Sequence, residues 1–337
     1  MSANLIPQGE VAQPHPSPRP STKRTTALVW IGLILAGFII VPAVGCAALG
    51  FAIAASGAQP ATAGFGPAVG IIRVEGPILP GRGTGGLGGP VALSETIVEQ
   101  IEQAHDDPNI RAVVLRIDSP GGGVVASDEI HHALLSMDKP LVVSMGTLAA
   151  SGGYYVAATA DYIYATPHTL TGSIGVISEF ITAEELLDEL GVEIVIIAAG
   201  DLKDFGTPTR HMTEEERAYW QALIDRTHEA FIQVVAQGRG MDVERVRAIA
   251  DGRVFTGEEA VELGLVDEIG YFEDAIAKAA ELGGISGEPR VVELAPEPGL
   301  LEALYGYQAQ QHPMAPLEVL HQLTLPTLQF RYIGPQE

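Results

Sequence analysis

Ser151 stands between Ala149-Ala150 and Gly152-Gly153, within the stretch GTLAASGGYYVAATADYIYATPHTLTGSIGV from Gly146 to Val176. An apolar run that ends in small residues and resumes at Tyr154 to Ala158 predicts a strand, a tight turn and a helix. A serine on such a turn presents its hydroxyl close to backbone N–H groups at a helix start. Those groups can stabilise the oxyanion that forms when a hydroxyl attacks a carbonyl, and flanking glycines let a substrate backbone come near. The same residues would also serve a plain Gly-Ser turn that packs a buried helix, so the other parts of a site must be sought elsewhere in the chain.

A serine hydroxyl needs a base and a group to orient that base. His168 follows Ala165-Thr166-Pro167, with no acidic residue close by in sequence to orient it. The lysines are Lys23, Lys139, Lys203 and Lys278. Lys139, before Pro140 at a strand start, and Lys278, on an amphipathic helix, read as solvated charges. Lys203 instead follows an apolar strand across Ala198-Ala199-Gly200-Asp201-Leu202, where a loop at a strand end faces a cleft. To act as a base it must lose roughly three pKa units from about 10.4, a cost of about 4 kcal/mol that desolvation can supply. Asp201 and Asp204 oppose this, so a basic Lys203 requires their carboxylates to point elsewhere. A Lys203–Asp204 surface pair is the competing reading. On the residues alone, His168 and Lys203 both stand as the base.

Asp118-Ser119-Pro120-Gly121-Gly122-Gly123 is a second Gly-rich turn entering a helix, which offers N–H groups to an anion. No GK[ST] follows, so it is not a Walker loop. Ser119 is a further hydroxyl, but Pro120 restricts its backbone and a turn role suits it better. His131 and His132 are adjacent on a helix and cannot share one face, which argues against a metal pair.

These residues need a scaffold. The 337-residue chain carries a net charge of -23, with 42 acidic against 19 basic residues, which makes nucleic acid and anionic lipid headgroups poor partners for its main body. The single cysteine, Cys46, excludes an intrachain disulfide framework and a cysteine-built zinc site. Residues 1–26 are rich in Pro, Ser and Thr and read as a disordered cytoplasmic tail. Residues 27–55 are apolar and uncharged, long enough at about 1.5 Å per residue to span a bilayer core and too long for a signal-peptide core of roughly 7–15 residues. Basic residues before this segment, and none until Arg73, place the N-terminus inside and the main domain outside the cytoplasmic membrane. A linker follows over 56–67.

Strands are expected at Ala68–Val74, Arg111–Ile117, Leu141–Met145, Tyr162–Ala165 and Glu193–Ile197, with helices between the early ones, such as Glu95–His105 capped by Ser94. This order implies an α/β fold with a largely parallel sheet flanked by helices. Thr213 with Glu216 and Thr256 with Glu259 are capping-box patterns that open two further helices. From 287 to 337 the chain is Pro-rich and ends in an apolar stretch, Leu323 to Ile333, which suits either a docked strand or a loose tail.

The ordered blocks Asp118-Ser-Pro-Gly-Gly-Gly, Ala149-Ala-Ser-Gly-Gly-Tyr-Tyr, Leu170-Thr-Gly-Ser-Ile-Gly-Val and Lys203-Asp, then Ala250-Asp-Gly-Arg-Val-Phe-Thr-Gly and Gly264-Leu-Val-Asp, resemble the bacterial signal peptide peptidase A family in its short form. The resemblance covers roughly Ala68 to Leu282, and residues 68–286 are read as the peptidase domain. It implies a ClpP/crotonase-like fold and a Ser–Lys dyad, with Ser151 as nucleophile and Lys203 as general base. It implies that Ser173 orients the lysine, and that the N–H groups of Gly122 and Gly152 form the oxyanion hole. It further implies a homo-oligomeric ring, often with the lysine supplied by a neighbouring subunit, acting on residual signal peptides at the outer face of the membrane. No cofactor or metal is expected. Family members often carry another lysine just before the catalytic one, where this chain has Ala198-Ala199. The other readings are a ClpP-like peptidase with a histidine base and a noncatalytic membrane scaffold.

Overall fold

The computed structural model describes residues 66–83, 89–294 and 329–332. The chain divides into two units between Ala63 and Gly64, and the described residues belong to the second. The anticipated tail and membrane anchor, and all but the end of the linker, lie outside the described residues. Among the described residues no helix is long and apolar enough to cross a membrane.

In chain order the elements are β1 (Ala68–Glu75), β2 (Ile78–Leu79), β3 (Ala92–Leu93), α1 (Ser94–Asp106), β4 (Ile110–Ser119), β5 (Gly121–Gly123), α2 (Val124–Ser136), β6 (Leu141–Ala150), α3 (Gly152–Ala157), β7 (Tyr162–Ala165) and β8 (Leu170–Gly172). There follow α4 (Glu184–Glu189), α5 (Glu214–Gly238), α6 (Val243–Arg247), β9 (Val254–Thr256), α7 (Gly257–Leu263), β10 (Glu268–Ile269), α8 (Phe272–Leu282), β11 (Arg290–Glu293) and β12 (Gln329–Arg331). The main sheet runs β10-β7-β6-β4-β1-β11, all parallel. The end of β6 also pairs with β8, and β8 pairs antiparallel with β9. A second, smaller sheet is ordered β12-β5-β2-β3.

The central strands read as unbroken apolar runs because both faces of the sheet are covered. Side chains alternate across a strand, so Ile72, Val74, Val113, Leu115, Ile117, Val143 and Met145 join one core under α1, α2, α3 and the end of α5. Val69, Ile71, Ala112, Val114 and Val142 face the other way, onto Ala275, Ala279 and Ala280 of α8. Both anticipated capping boxes form: Thr213 accepts from the Glu216 N–H and Thr256 from the Glu259 N–H, while each glutamate returns to its cap residue's backbone.

Three local expectations are corrected. Glu193–Ile197 forms no strand and is exposed along its length, with Ile197 96% accessible. A β-branched run suits a strand, but a strand needs an edge to pair with, and the run pairs with none among the described residues. Ser94 does not cap the helix it begins; it is buried, and its hydroxyl donates to Glu129 Oε2 at 2.6 Å. Lys139 is not a free surface charge, since its Nζ donates to the Ala104 and Asp107 carbonyls at 2.5 and 2.7 Å, closing the end of α1. Burial there draws the lysine below its ordinary pKa.

Candidate active site

The register of β6 against β8 places Ala150 beside Gly172, so the residues that leave these strand ends are Ser151 and Ser173. Ser151 N donates to the Gly172 carbonyl at 2.8 Å, and Ser173 N to the Arg253 carbonyl at 2.8 Å. Ser151 has φ 54° and ψ -117°, and Ser173 has φ 51°. Among the described residues these are the only non-glycine residues at positive φ. Such a backbone costs about 1–3 kcal/mol per residue and persists only where its surroundings enforce it. Two serines strained side by side at parallel strand ends form a local structure built for something other than stability. The Ser151 carbonyl then accepts the Tyr155 N–H at 2.8 Å, and Ser151 stands as the N-cap residue of α3. Both residues are buried, at 1% and 6% exposure.

The Gly-rich segment closes on this turn. β4 pairs with β6 up to Ser119–Ala149, after a register irregularity beyond Ile117. Ser119, fully buried, accepts the Gly121 N–H at 3.1 Å, the turn role expected of it. Gly121 has φ 91°, and a Cβ added to it would stand 2.5 Å from Gly152 N. A Cβ on Gly152 would stand 3.2 Å from Gly122 N and 2.5 Å from Ser127 Oγ. The backbones of Gly121-Gly122 and Gly152 therefore meet with no room for a side chain. The Gly122 nitrogen, from β5, thus lies close to the start of α3 that follows Ser151.

Lys203 lies in the segment between α4 and α5. It is exposed, and no hydrogen bond joins it to Ser151 or Ser173 among the described residues. It lines an open groove of about 640 Å³ with Ile196, Ile197, Phe205 and neighbouring backbone. The competing Lys203–Asp204 pair does not form. Asp204 is held instead by Arg210, whose Nε donates to Asp204 Oδ2 at 3.0 Å and which also grips Glu216 Oε1 and Oε2 at 2.6 and 2.9 Å. Arg210 holds Asp204 below the usual carboxylate range. The same guanidinium, with the Thr213 N–H, brings Glu216 down to about 2. Phe180, Phe205 and Trp220, with ring centroids 5.1–5.6 Å apart, fix this lobe to α5. The sequence reading missed Arg210, since nothing in Thr-Pro-Thr-Arg-His marks it as the partner of a residue six positions earlier.

His168 is exposed in the turn between β7 and β8. Leu170 is level with Leu148, so His168 falls roughly five residues short of Ser151 along parallel strands, about 16 Å at the rise of a strand. His228, unremarked in the sequence, approaches the site from α5, with Nε2 3.2 Å from the Ile174 carbonyl. A carbonyl only accepts, so that nitrogen carries a proton and is not a free base.

Comparison with known proteins identifies the family. The model of peptidase family S49 matches residues 133–286, which hold Ser151, Ser173 and Lys203, and the Clp protease model matches residues 89–171. A ClpP/crotonase-like arrangement of mixed sheets and flanking helices fits both. A putative protease of Synechocystis is 44% identical over 210 residues, 60% of this chain and 75% of that one. Protease 4 of Salmonella typhi is 42% identical over 221 residues, 64% of this chain and 35% of its own. A putative signal peptide peptidase SppA of Enterococcus faecium is 40% identical over 185 residues, 54% of either chain. The chain thus spans about half of the Enterococcus protein and about a third of the Salmonella one. On these matches the chain belongs to peptidase family S49, the signal peptide peptidase A family of serine peptidases.

Proposed function

We propose that this protein is a membrane-anchored serine endopeptidase that uses a Ser151–Lys203 dyad to degrade residual signal peptides at the outer face of the cytoplasmic membrane. The observation that carries the reading is the pair of strained serines, Ser151 and Ser173, set against the closely packed backbones of Gly121-Gly122 and Gly152. In this mechanism neutral Lys203 takes the Ser151 proton as Oγ attacks the peptide carbonyl. The Gly122 and Gly152 N–H groups stabilise the tetrahedral oxyanion. Lys203 then protonates the leaving amine, and water activated in the same way releases the acyl group. Ser173 holds the lysine in line.

The lysine comes from a neighbouring copy in a homo-oligomeric ring. Its own Ser151 is buried while Lys203 stands in water, beside an uncovered apolar run in which Val195 is 72% and Ile197 96% exposed. Docking that run on a second copy would bury apolar surface and strip water from Lys203 in one event, and desolvation disfavours the charged form of an amine. Arg210 supports this by keeping Asp204 away from the lysine. A base at His168 would have to act from well beyond hydrogen-bonding reach.

Mixing two inactive variants tests the whole reading. Ser151→Ala and Lys203→Ala should each lose peptidase activity, and co-assembled rings of the two should regain a substantial fraction of it. Recovery requires sites that draw serine and lysine from different copies. Activity retained in Lys203→Ala would move the base elsewhere, and loss without recovery would place both residues in one copy.

A further inference from the structure

The turn Asp251-Gly252-Arg253 takes no part in the proposed chemistry, yet it lies against Ser173 at the end of a ladder. β8 and β9 run antiparallel, with Thr171 level with Phe255 and Gly172 with Val254, so Ser173 comes opposite Arg253. Two residues that form a hydrogen-bonded pair in such a ladder exchange two bonds. Ser173 makes the first, its N donating to the Arg253 carbonyl at 2.8 Å. The second is not made. The Arg253 N–H turns back instead onto Asp251 Oδ1 at 3.2 Å, across Gly252 at φ 88°. The ladder stops at Ser173 because a side chain has taken the donor that would have continued it.

Freed of that bond, Ser173 leaves the extended conformation and stands at φ 51°. Its neighbours are fixed on both sides. Gly172, at φ 77°, packs on Phe255, whose Cδ2 lies 2.7 Å from the point where a Gly172 Cβ would sit. Gly175 packs on the turn itself, with Gly252 Cα 3.2 Å from its own added Cβ. The Ile174 carbonyl between them accepts from His228 Nε2 at 3.2 Å. The Ser173 hydroxyl, by contrast, has no hydrogen-bond partner among the described residues. A strained serine whose backbone is held from both sides, with its hydroxyl unspent, is prepared to hold another group. The ion pair between Arg253 and Asp251 is a separate matter. Arg253 Nε donates to both carboxylate oxygens at 2.8 Å, but the two side chains are 67% and 48% exposed, where such a pair contributes little.

We infer that Asp251 is a positioning residue for Ser173: by taking the Arg253 N–H it ends the β8–β9 ladder at the serine and holds the serine in the conformation that presents its hydroxyl to the catalytic lysine. The inference rests on the reading of Ser173 as the group that orients Lys203. What position 251 must supply is an oxygen that accepts from the backbone two residues on, not a charge, so asparagine should serve there and alanine should not.

The test is steady-state cleavage of a quenched-fluorescent apolar peptide by the full-length chain, with kcat and KM separated and thermal melting followed on every variant. Asp251→Ala should lower kcat about tenfold or more while KM stays within about twofold, the mark of lost alignment rather than lost binding. Asp251→Asn and Arg253→Ala should stay within about threefold of wild type. Gly252→Ala should follow Asp251→Ala, since its added Cβ meets nothing within 4 Å but cannot take φ 88° without strain. In a Ser173→Ala background, Asp251→Ala should cost nothing further, because a residue that acts through the serine hydroxyl loses its effect once that hydroxyl is gone. An equal fold-loss in both backgrounds, a kcat unchanged by Asp251→Ala, or an asparagine variant as slow as the alanine one would each overturn the positioning role while leaving Ser173 in place. Wild-type kcat in Ser173→Ala alone would remove the orienting role of that serine, and this inference with it.

Discussion

Three consecutive glycines invite the assumption that any of them tolerates alanine equally, and the packing around β5 says otherwise. A Cβ on Gly122 would lie 1.9 Å from the Ile78 carbonyl oxygen and 2.7 Å from both its carbon and its nitrogen. These are backbone atoms of the paired strand β2, so no side-chain rotation relieves the clash. A Cβ on Gly123 meets nothing closer than Ala126 Cβ at 3.7 Å, and Gly123 has an ordinary φ of -62°. Gly122→Ala must therefore move β5 by about 1 Å, and a displacement of that size at a reacting centre can cost roughly 100-fold. Loss of a whole oxyanion donor costs about 100- to 1000-fold in kcat, so the expected fall in kcat is about two to three orders of magnitude. Overpacking should also cost about 1–3 kcal/mol, or a melting temperature lower by about 3–10 °C. Gly123→Ala should melt within about 2 °C of wild type, as expected for a surface-like change. Steady-state peptidase kinetics and thermal melting, run side by side on the three proteins, decide it. A Gly122→Ala enzyme with kcat within threefold of wild type would refute the placement of this amide in the oxyanion hole, and an equal melting loss in both variants would refute the packing argument.

Two further outcomes follow from the site and its supporting lobe. Ser151→Gly should abolish activity yet raise stability by about 1 kcal/mol, because glycine adopts φ 54° without strain; a melting temperature that rises by about 2–4 °C is the check, and a fall would remove the strain argument. Glu216, whose folded pKa of about 2 lies below its value in an unfolded chain, contributes stability that is complete above about pH 4.5 and disappears as pH falls toward 2. Trp220 packs in the same lobe and is the only tryptophan besides Trp30, so its fluorescence in a fragment starting at Gly64 should change across that window, and Glu216→Gln should remove most of that pH dependence.

Much of this fold is visible in the sequence because local rules and tertiary demands coincide. Ala68–Val74 and Arg111–Ile117 read as buried strands for the same reason that they are central: both of their faces meet helices. The two capping boxes are wholly local and form as spelled. The turn at Ser151 is also legible, but its strain is not, since no pattern of residue types signals a serine at positive φ. What escapes the sequence is non-local. The β5–β12 pairing joins residues about two hundred positions apart through glycines that carry no side-chain pattern. Arg210 diverts Asp204 through a contact between two irregular segments.

Glu193–Ile197 fails as a strand for a different reason, and the failure bears on mechanism. The segment has the composition of a buried element and pairs with no strand among the described residues, and Lys203, the proposed base a few residues later, has no hydrogen bond to Ser151 or Ser173 among them. One cause accounts for both in the proposed ring. A hydrated amine keeps its charged form well solvated and is a poor proton acceptor, so in this reading a lone copy holds a strained nucleophile without the group that activates it. Covering the apolar run on a second copy would supply both the desolvation and the neighbour that the chemistry requires. Assembly and activation then become the same event, and an unassembled copy has no means of cutting peptide bonds indiscriminately.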